Sequence, residues 1–280
     1  MIQRFYKVHG LGNDFVLLDG LGGGRNVTPE EAVRLCDRHL GIGADGVLWL
    51  GPAEDAAASL FITNADGSRA EMCGNGIRCA AKYLYDQRKV HAEVIPILTG
   101  AGLLKCRVFP GPDGLVETVR VSMGRPRLER PEIPMEGTGR CQDEEVRVGD
   151  RTVRLTAVSM GNPHAVLFGS ASREEAESLG PRIEHHPLFP RRTNVEFARI
   201  RSRGEIDLVV WERGCGITQA CGTGACATTV AAVLNGHVDL DREVKVNLPG
   251  GPLHITVLPE MADVWMRGPA THVFTGEIEI

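Results

Sequence analysis

The sequence predicts an α+β fold made of two related halves. Two motifs recur in the same order along the 280 residues, with offsets of 149 and 148 positions. Gly12-Asn13-Asp14 resembles Gly161-Asn162-Pro163, and Cys73-Gly74-Asn75-Gly76 resembles Cys221-Gly222-Thr223-Gly224. At the same offsets, Asp45 lies opposite Asn194, and Asn64 lies opposite Glu212. A repeat with a period of domain size indicates duplication, so we expect two domains with one ligand cleft between them.

The predicted strands are segments rich in β-branched and apolar residues. In the first half they cover residues 5–19, 46–50, 59–64, 93–98 and 105–108. In the second half they cover residues 154–160, 194–201, 206–211, 243–246 and 254–257. Each half therefore contains enough strands for a sheet of its own.

One helix is predicted in each half, directly after the Cys-Gly-x-Gly motif. Residues 75–88 place Ile77, Ala80 and Leu84 at helical spacing. Residues 224–235 are mostly small, and Gly236 follows them as a helix-ending residue. A helix of such small residues allows close approach on every side, which favours a central position.

Each cysteine of the repeated motif is predicted to lie at a helix N-terminus. The N–H groups and the dipole there stabilise a thiolate, so we expect each thiol pKa to fall below the ordinary value of about 8.5. The glycines let a ligand carboxylate approach the backbone N–H groups. Two such turns facing each other would place one sulfur on each side of an α-carbon. Cys73 and Cys221 are therefore candidates for a two-base inversion of configuration.

Other uses of these cysteines stay open on the residues alone. His164 could activate a cysteine for thiol hydrolase or transferase chemistry. A redox pair lacks the Cys-x-x-Cys spacing, and the separations of five and four residues between close cysteines do not match a zinc site. None of the five lysines lies in a phosphate-cradling glycine-rich context, which argues against pyridoxal phosphate. We expect neither a cofactor nor a metal.

Composition narrows the class of protein. The net charge is −5 and there is no Lys/Arg run, so nucleic acid is not an expected partner. No signal-peptide pattern and no membrane-length apolar run occur, so we expect a cytoplasmic protein that does not bind membranes. In such a protein of this size, the eight cysteines do not predict a disulfide framework.

Six stretches together resemble the diaminopimelate epimerase family over almost the whole chain. They are KVHGLGNDFVLLD (7–19), RHLGIGADGVL (38–48), NADGSRAEMCGNGIRC (64–79), MGNPHAV (160–166), RTNVEFA (192–198) and WERGCGITQACGTGACA (211–227). The resemblance implies conversion of LL- to meso-2,6-diaminopimelate without a cofactor, for lysine and peptidoglycan precursors. It also implies a homodimer of chains with two pseudo-symmetric domains, each a curved mixed sheet around a central helix. We expect domains at residues 1–120 plus 268–280 and at 121–267, with the active site between them.

The resemblance also assigns roles to individual residues. Cys73 and Cys221 match the acid/base pair, and His164 and Glu212 match supporting groups near the thiols. The positions that match substrate contacts are Asn13, Asn64, Gly74, Asn75, Asn162, Asn194, Glu212, Arg213, Gly222 and Thr223. The chemistry agrees, because a guanidinium binds a carboxylate through two hydrogen bonds, and Glu and Asn oxygens accept from ammonium groups.

The chain departs from the family pattern before the second cysteine, where Ile217 replaces the usual Glu. Two other functions stay open. One is a racemase of proline, hydroxyproline or a related acid, although Arg213 and its polar neighbours favour a substrate with two charged ends. The other is a non-catalytic binding protein, which the retention of both cysteines speaks against.

Overall fold

The computed structural model describes residues 2–70, 72–88 and 90–279. The chain divides into two compact units. The first unit contains the residues up to Val121 together with the segment from Arg267 onward, and the second contains Ser122–Met266.

The described residues form four α-helices, and strands make up most of the remaining regular structure. The helices are α1 (Pro29–Cys36), α2 (Gly74–Asp86), α3 (Arg173–Glu184) and α4 (Gly222–Leu234). The strands before α3 are β1 (Ile2–Gly10), β2 (Asn13–Asp19), β3 (Gly46–Gly51), β4 (Ala58–Asn64), β5 (Arg69–Ala70), β6 (Val94–Thr99), β7 (Gly102–Pro110), β8 (Val116–Ser122), β9 (Glu144–Val148), β10 (Arg151–Ser159) and β11 (Pro163–Phe168). Those after it are β12 (Asn194–Ser202), β13 (Glu205–Glu212), β14 (Gly216–Ile217), β15 (Glu243–Leu248), β16 (Gly251–Val257), β17 (Val264–Pro269) and β18 (Thr271–Glu279).

The two units share one topology, which confirms the predicted α+β class and the duplication. In the first unit β1 and β2 pair antiparallel, β2 and β3 parallel, β3 and β4 antiparallel, β4 and β6 parallel, and β6 and β7 antiparallel. In the second unit β10, β11, β12, β13, β15 and β16 pair in the same alternating order. The short strands β5 and β14 pair with β4 and β13 at corresponding places.

A buried helix lies at the centre of each unit. Helix α2 packs against β1, β2, β3, β4, β6, β7 and β18, and α4 packs against β10, β11, β12, β15 and β16. The side chains of α4 are small, and Ala225, Ala227, Ala231 and Ala232 have no exposed surface. Strands can therefore approach this helix from all sides, as the composition of residues 224–235 predicts. Gly236, with φ of 71°, follows the C-cap residue Asn235.

The prediction of one continuous strand over residues 5–19 is wrong, because this segment forms a hairpin of two strands. Strands β1 and β2 pair across a turn at Leu11 and Gly12, with φ of 57° and 85°. A two-residue hairpin turn that matches the strand twist needs positive φ at both central positions. Leu11 adopts this conformation without being Gly or Asn, so the usual sequence signal for the turn is missing from its first position.

Two further observations concern the described residues as a whole. None of their helices has the length and apolar character that would let it cross a membrane. They also contain no group of three or more His, Cys, Asp or Glu side chains placed to hold a metal ion.

Candidate active site

Cys73 is the N-cap residue of α2, as the Cys-Gly-x-Gly motif predicts. Its backbone is extended (φ −140°, ψ 117°), and its Sγ accepts a hydrogen bond from the Gly76 N–H at 3.5 Å. The sulfur thus takes the place of the Ser or Thr oxygen that usually caps a helix. The N–H groups at the start of α2 have no intrahelical carbonyl partner, so Gly74 and Asn75 can offer theirs to an anion.

Asn13 links this sulfur to the strand β2. As a thiol, Cys73 donates to Asn13 Oδ1 at 3.7 Å, and Asn75 Nδ2 donates to the same oxygen at 3.1 Å. Asn13 Nδ2 donates to Asp45 Oδ2 at 2.8 Å, which fixes the amide with its oxygen toward the sulfur. Three site residues named from the sequence, Cys73, Asn13 and Asn75, are therefore in one hydrogen-bonded cluster.

A buried arginine supports this turn from inside α2. Arg78 has no exposed surface, and its guanidinium donates to Gly74 O at 3.0 Å and to Asn75 Oδ1 at 2.7 Å. Gly10 leaves room for it, because a Cβ at that position would lie 2.9 Å from Arg78 Nη2. Arg78 was not among the predicted site residues, although it lies within the quoted stretch 64–79.

Asn64 lies at the end of β4, opposite Gly46 at the start of β3. Its Nδ2 donates to Ser68 Oγ at 2.9 Å. It shares one edge of the sheet with Asn13, since β2 begins at Asn13 and runs parallel to β3. The polar residues of the first unit thus gather at the edge where α2 begins.

Cys221 is the N-cap residue of α4 and repeats the geometry of Cys73. Its backbone is extended (φ −120°, ψ 106°), and Gly224 N donates to Sγ at 3.3 Å. Thr223 Oγ1 lies 3.6 Å from the same sulfur, and either atom could be the donor. Gly222 and Thr223 provide the first N–H groups of α4, as Gly74 and Asn75 do in α2.

The predicted fall in thiol pKa is wrong for Cys221, whose pKa lies well above its ordinary value. Burial is the main cause, because only 5% of the residue is exposed and a thiolate there loses its hydration. The carboxyl groups of Glu212 and Glu196 add to the rise, and the contacts from Thr223 and the Gly224 N–H only partly offset it. Cys221 therefore rests as a thiol.

A chain of polar contacts leads from this sulfur into the core. Asn162 Nδ2 donates to Thr223 Oγ1 at 3.3 Å, and His164 Nε2 lies 3.0 Å from Asn162 Oδ1. His164 Nδ1 lies 2.6 Å from Glu196 Oε1, and both side chains are fully buried. His164 and Asn162 are thus linked to Cys221 through Thr223, and Glu196 is an addition that the sequence analysis missed.

Glu212 ends β13 and carries the second carboxyl group near Cys221. Thr218 Oγ1 donates to Glu212 Oε1 at 2.5 Å. Burial raises the pKa of this carboxyl group, while hydrogen bonds from Thr218 and Cys221 and the charge of His164 act in the opposite direction. A carboxyl group with a raised pKa beside a thiol can take part in proton transfer to or from that thiol.

Asn194 and Arg213 shape the loop after β13. Asn194 Oδ1 accepts from the Arg213 N–H at 2.9 Å, and Asn194 Nδ2 donates to Pro163 O at 2.9 Å. The Arg213 side chain is exposed, and its Nη1 donates to Arg191 O at 3.1 Å. Asn194 thus holds the backbone of this loop, and the guanidinium stands at the surface of its unit.

Ile217, which departs from the family pattern, has a packing role. It pairs with Trp211 in the short strand β14 and packs against the apolar cluster that includes Leu179 and Ile183 of α3. Thr218, its neighbour, reaches Glu212 instead. Cys215 is exposed in the turn before β14.

Each unit therefore carries a half-site with the same parts. A cysteine caps the central helix, an N–H of the first turn approaches its sulfur, and side-chain oxygens lie close enough to take its proton. Such a sulfur can exist as thiol or thiolate, which general acid/base catalysis requires. The unpaired N–H groups beside it fit a carboxylate.

Comparison with known proteins identifies the family. The sequence model described as diaminopimelate epimerase matches residues 5–129 and 156–273. The chain is 52% identical to the diaminopimelate epimerase of Pelotomaculum thermopropionicum, over 98% of both chains. It is 47% identical to that of Heliobacterium modesticaldum, over 99% of this chain and all of the other.

Solved structures extend the likeness of fold. A probable proline racemase from Agrobacterium radiobacter K84 superposes with a TM-score of 0.71 at 18% identity, over 99% of this chain and 93% of the other. At that identity the similarity concerns the fold alone. The matches in sequence are much stronger and extend over nearly the whole chain, and they show that this protein belongs to the diaminopimelate epimerase family.

Proposed function

We propose that this chain inverts one α-carbon of LL-2,6-diaminopimelate to give the meso isomer, with Cys73 and Cys221 as the two acid/base groups and without a cofactor. The observation that carries the proposal is the capping geometry, because each cysteine caps the central helix of its own unit. The family relatives, which are named diaminopimelate epimerase, support the substrate. The product would serve lysine and peptidoglycan synthesis.

In the proposed reaction, both helix N-termini bind the carboxylate of the reacting centre. The N–H groups of Gly74, Asn75, Gly222 and Thr223 supply the hydrogen bonds. One cysteine, as thiolate, removes the α-proton, and the electron pair of the broken C–H bond moves toward the carboxylate. The N–H groups stabilise that charge. The other cysteine, as thiol, delivers a proton to the opposite face.

The partners of each sulfur support this exchange of roles. Cys73 can donate to Asn13 as a thiol and accept from the Gly76 N–H as a thiolate. Cys221 has the Thr223 hydroxyl and the Gly224 N–H in corresponding places. Because Cys221 rests as a thiol, it begins as the acid. After one turnover the protonation states are reversed, as a reversible inversion requires.

The remaining polar residues fit the unreactive end of the substrate. We assign the distal carboxylate to the exposed guanidinium of Arg213, which binds a carboxylate through two parallel hydrogen bonds. Asn64 and Asn162 offer amide groups to the second amino acid end, and Asn194 holds the Arg213 backbone in place. An Arg213→Lys variant should bind the substrate more weakly, because a point charge replaces a planar fork.

Proline racemisation is the second candidate, and the fold of the Agrobacterium protein is the observation that favours it. That enzyme class would not need a group for a distal carboxylate, so the test must include proline.

We also propose a homodimer in the cytoplasm. The exposed apolar residues Val273 and Phe274 on β18 support association of two copies of the chain. Light scattering of the purified protein would detect the dimer.

The experiment is α-proton exchange in deuterated water, followed by NMR on purified protein with reductant and no added cofactor. LL-diaminopimelate, L-proline and hydroxyproline are tested in parallel. We expect deuterium at one α-carbon of diaminopimelate together with meso product. Exchange of proline alone would keep the two-cysteine chemistry and refute the substrate, and no exchange with any of them would refute the reaction.

A further inference from the structure

The second half-site contains a buried polar pair that the first one lacks. His164 on β11 and Glu196 on β12 are fully buried. In the register of the parallel strand pairs, His164 lies opposite Asn194 and Val166 opposite Glu196, as Phe15 lies opposite Gly46 and Leu17 opposite Leu48. The counterparts of His164 and Glu196 on β2 and β3 are therefore Phe15 and Leu48, which are also buried. The same strand pair therefore folds with two apolar side chains in one unit and with an ionisable pair in the other. Since burying such a pair is costly, the fold alone does not account for it.

Gly224 brings this pair close to the reactive sulfur. A Cβ at Gly224 would lie 3.0 Å from Glu196 Oε1 and 3.1 Å from Cys221 Sγ, so both groups approach the first turn of α4. At the corresponding Gly76 a Cβ would meet Leu48 Cδ2 at 2.9 Å. Glu196 thus occupies the position that Leu48 has in the first unit, next to the first turn of α4.

The hydrogen bonds that link His164 to Cys221 can have either of two donor–acceptor orders. If His164 Nε2 carries a proton, it donates to Asn162 Oδ1, and Asn162 Nδ2 donates to Thr223 Oγ1. The Thr223 hydroxyl then has its own proton left for Cys221 Sγ at 3.6 Å. If Nε2 is bare, the amide of Asn162 must reverse, and its oxygen takes the Thr223 proton instead. Only the first arrangement gives the sulfur a side-chain donor.

Glu196 selects the first arrangement. Its Oε1 lies 2.6 Å from His164 Nδ1, so one proton is shared between these two atoms. If that proton is on the carboxyl group, the ring is neutral and its single proton is on Nε2. If it is on Nδ1 of an imidazolium, Nε2 carries a proton as well. The remaining alternative, an ionised Glu196 beside a neutral ring, would leave an uncompensated charge in the core. Glu196 Oε2 has no hydrogen-bond partner among the described residues, which makes such a charge still more costly.

We propose that Glu196 is a positioning residue, which acts through His164 and Asn162 to hold the Thr223 hydroxyl as a hydrogen-bond donor to the Cys221 sulfur. This inference rests on the proposed function in one respect, namely that Cys221 must form a thiolate during turnover. The hydrogen bond from Thr223 lowers the pKa of the buried Cys221 thiol, so that the thiolate can form.

Two effects of Glu196 on Cys221 have opposite signs, and this makes the proposal testable. The titratable groups that act on the thiol are the carboxyl groups of Glu212 and Glu196, and His164 acts on both carboxyl groups. As a negative charge, Glu196 raises the thiol pKa, so its removal would lower that pKa. As the start of the donor chain it lowers the thiol pKa, so its removal would raise that pKa.

The test compares Glu196→Met, which matches the length of the side chain, with Glu196→Gln, whose amide N–H can still donate to His164 Nδ1. The pKa of Cys221 is measured from the pH dependence of iodoacetamide alkylation, resolved for this site by mass spectrometry. We expect the Met variant to raise this pKa by about one unit, a roughly tenfold slower alkylation below the pKa. The Gln variant should restore most of the loss. A lower or unchanged pKa in the Met variant would overturn the proposal.

A second arm tests whether Glu196 acts through Thr223. Thr223→Val should raise the pKa of Cys221 by a similar amount, and adding Glu196→Met to it should change nothing further. Additive shifts in the double variant would refute the relay. A third arm needs no Glu196 variant. Long-range ¹H–¹⁵N NMR of the unsubstituted protein, assigned with His164→Asn, should show a proton on Nε2, and a bare Nε2 would refute the relay.

None of these measurements uses a substrate. If the exchange experiment fails while the pKa shifts as expected, the proposed function falls and the relay stands. If epimerisation is found but the pKa of Cys221 is insensitive to Glu196, the relay falls and the proposed function stands.

Discussion

Gly224→Ala should damage the chemistry of Cys221 far more than Gly76→Ala damages that of Cys73. The added Cβ would lie 3.1 Å from Cys221 Sγ and 3.0 Å from Glu196 Oε1, whereas non-bonded atoms are at ease near about 3.5–4.0 Å. The sulfur must therefore retreat by about half an ångström. At Gly76 the added Cβ would lie 3.8 Å from Cys73 Sγ, and its clash is with Leu48 Cδ2.

The two glycines occupy the same position of their helices, so the gain in helix propensity cancels between them, at about 0.5–1 kcal/mol each. Overpacking costs about 1–3 kcal/mol at either site, and both variants should lower the free energy of unfolding by about 1 kcal/mol. A displacement of 1 Å costs catalysis about 100-fold, so half of that predicts roughly a tenfold loss of kcat for Gly224→Ala beyond that of Gly76→Ala.

Urea unfolding, the epimerisation rate and the alkylation rate of Cys221 measure these effects separately. Equal kcat values for the two variants, at equal stability, would refute the claim that Gly224 is needed for the placement of the sulfur. Because alkylation requires no substrate, it tests the displacement even if the substrate assignment is wrong.

Four further predictions concern the site and the fold. Cys73→Ala and Cys221→Ala should each abolish epimerisation, whereas Cys79→Ala and Cys226→Ala, buried controls in the same two helices, should retain it; full activity of either of the first two would refute the two-base mechanism. Mild oxidation should inactivate the enzyme, and a thiol reductant should restore it; undiminished activity after oxidation would count against paired thiols. Dialysis against a chelator should leave the rate unchanged, and a loss that Zn²⁺ reverses would show a metal requirement. The hydrogen bond from Arg25, with one from the Thr28 N–H, lowers the pKa of Glu31 from 4.5 to about 2, so its contribution to stability is present above pH 4.5 and is lost as the pH falls toward 2. Melting curves of Glu31→Gln should lack that share of the acid sensitivity, and an unchanged difference from the unsubstituted protein across this range would contradict the assignment.

The sequence was sufficient for the parts of the fold that depend on local chemistry. The repeat predicts the shared topology, because equal spacing of equivalent motifs reproduces equal elements. The small residues of α4 predict its central place, since they let strands approach the helix closely from several sides. The position of Cys73 and Cys221 as helix caps follows from the glycines after them and from the helical spacing beyond.

The parts that the sequence did not predict depend on burial and on distant partners. The rise in the pKa of Cys221 comes from desolvation and from two carboxyl groups on β12 and β13, none of which the helix N-terminus reveals. Glu196 lies between the apolar residues Val195 and Phe197, and its importance emerges only when His164 of another strand is placed beside it. Helix α1 was not predicted, although the sequence contains signals for its start. Thr28 and Glu31 form a capping box, and Pro29 is the first residue of the helix.

The order of the chain in the first unit has a consequence for biosynthesis. Strand β1 pairs along its length with β18, and the second unit lies between the two in sequence. During translation the second unit can therefore close its sheet while β1 still lacks this neighbour. The ribosome must deliver β18 before the first sheet is complete, so β1 has an exposed edge throughout that interval. Closing a loop of that length is slow. Deletions in β18 should thus leave β1 exposed to aggregation while the second unit stays folded.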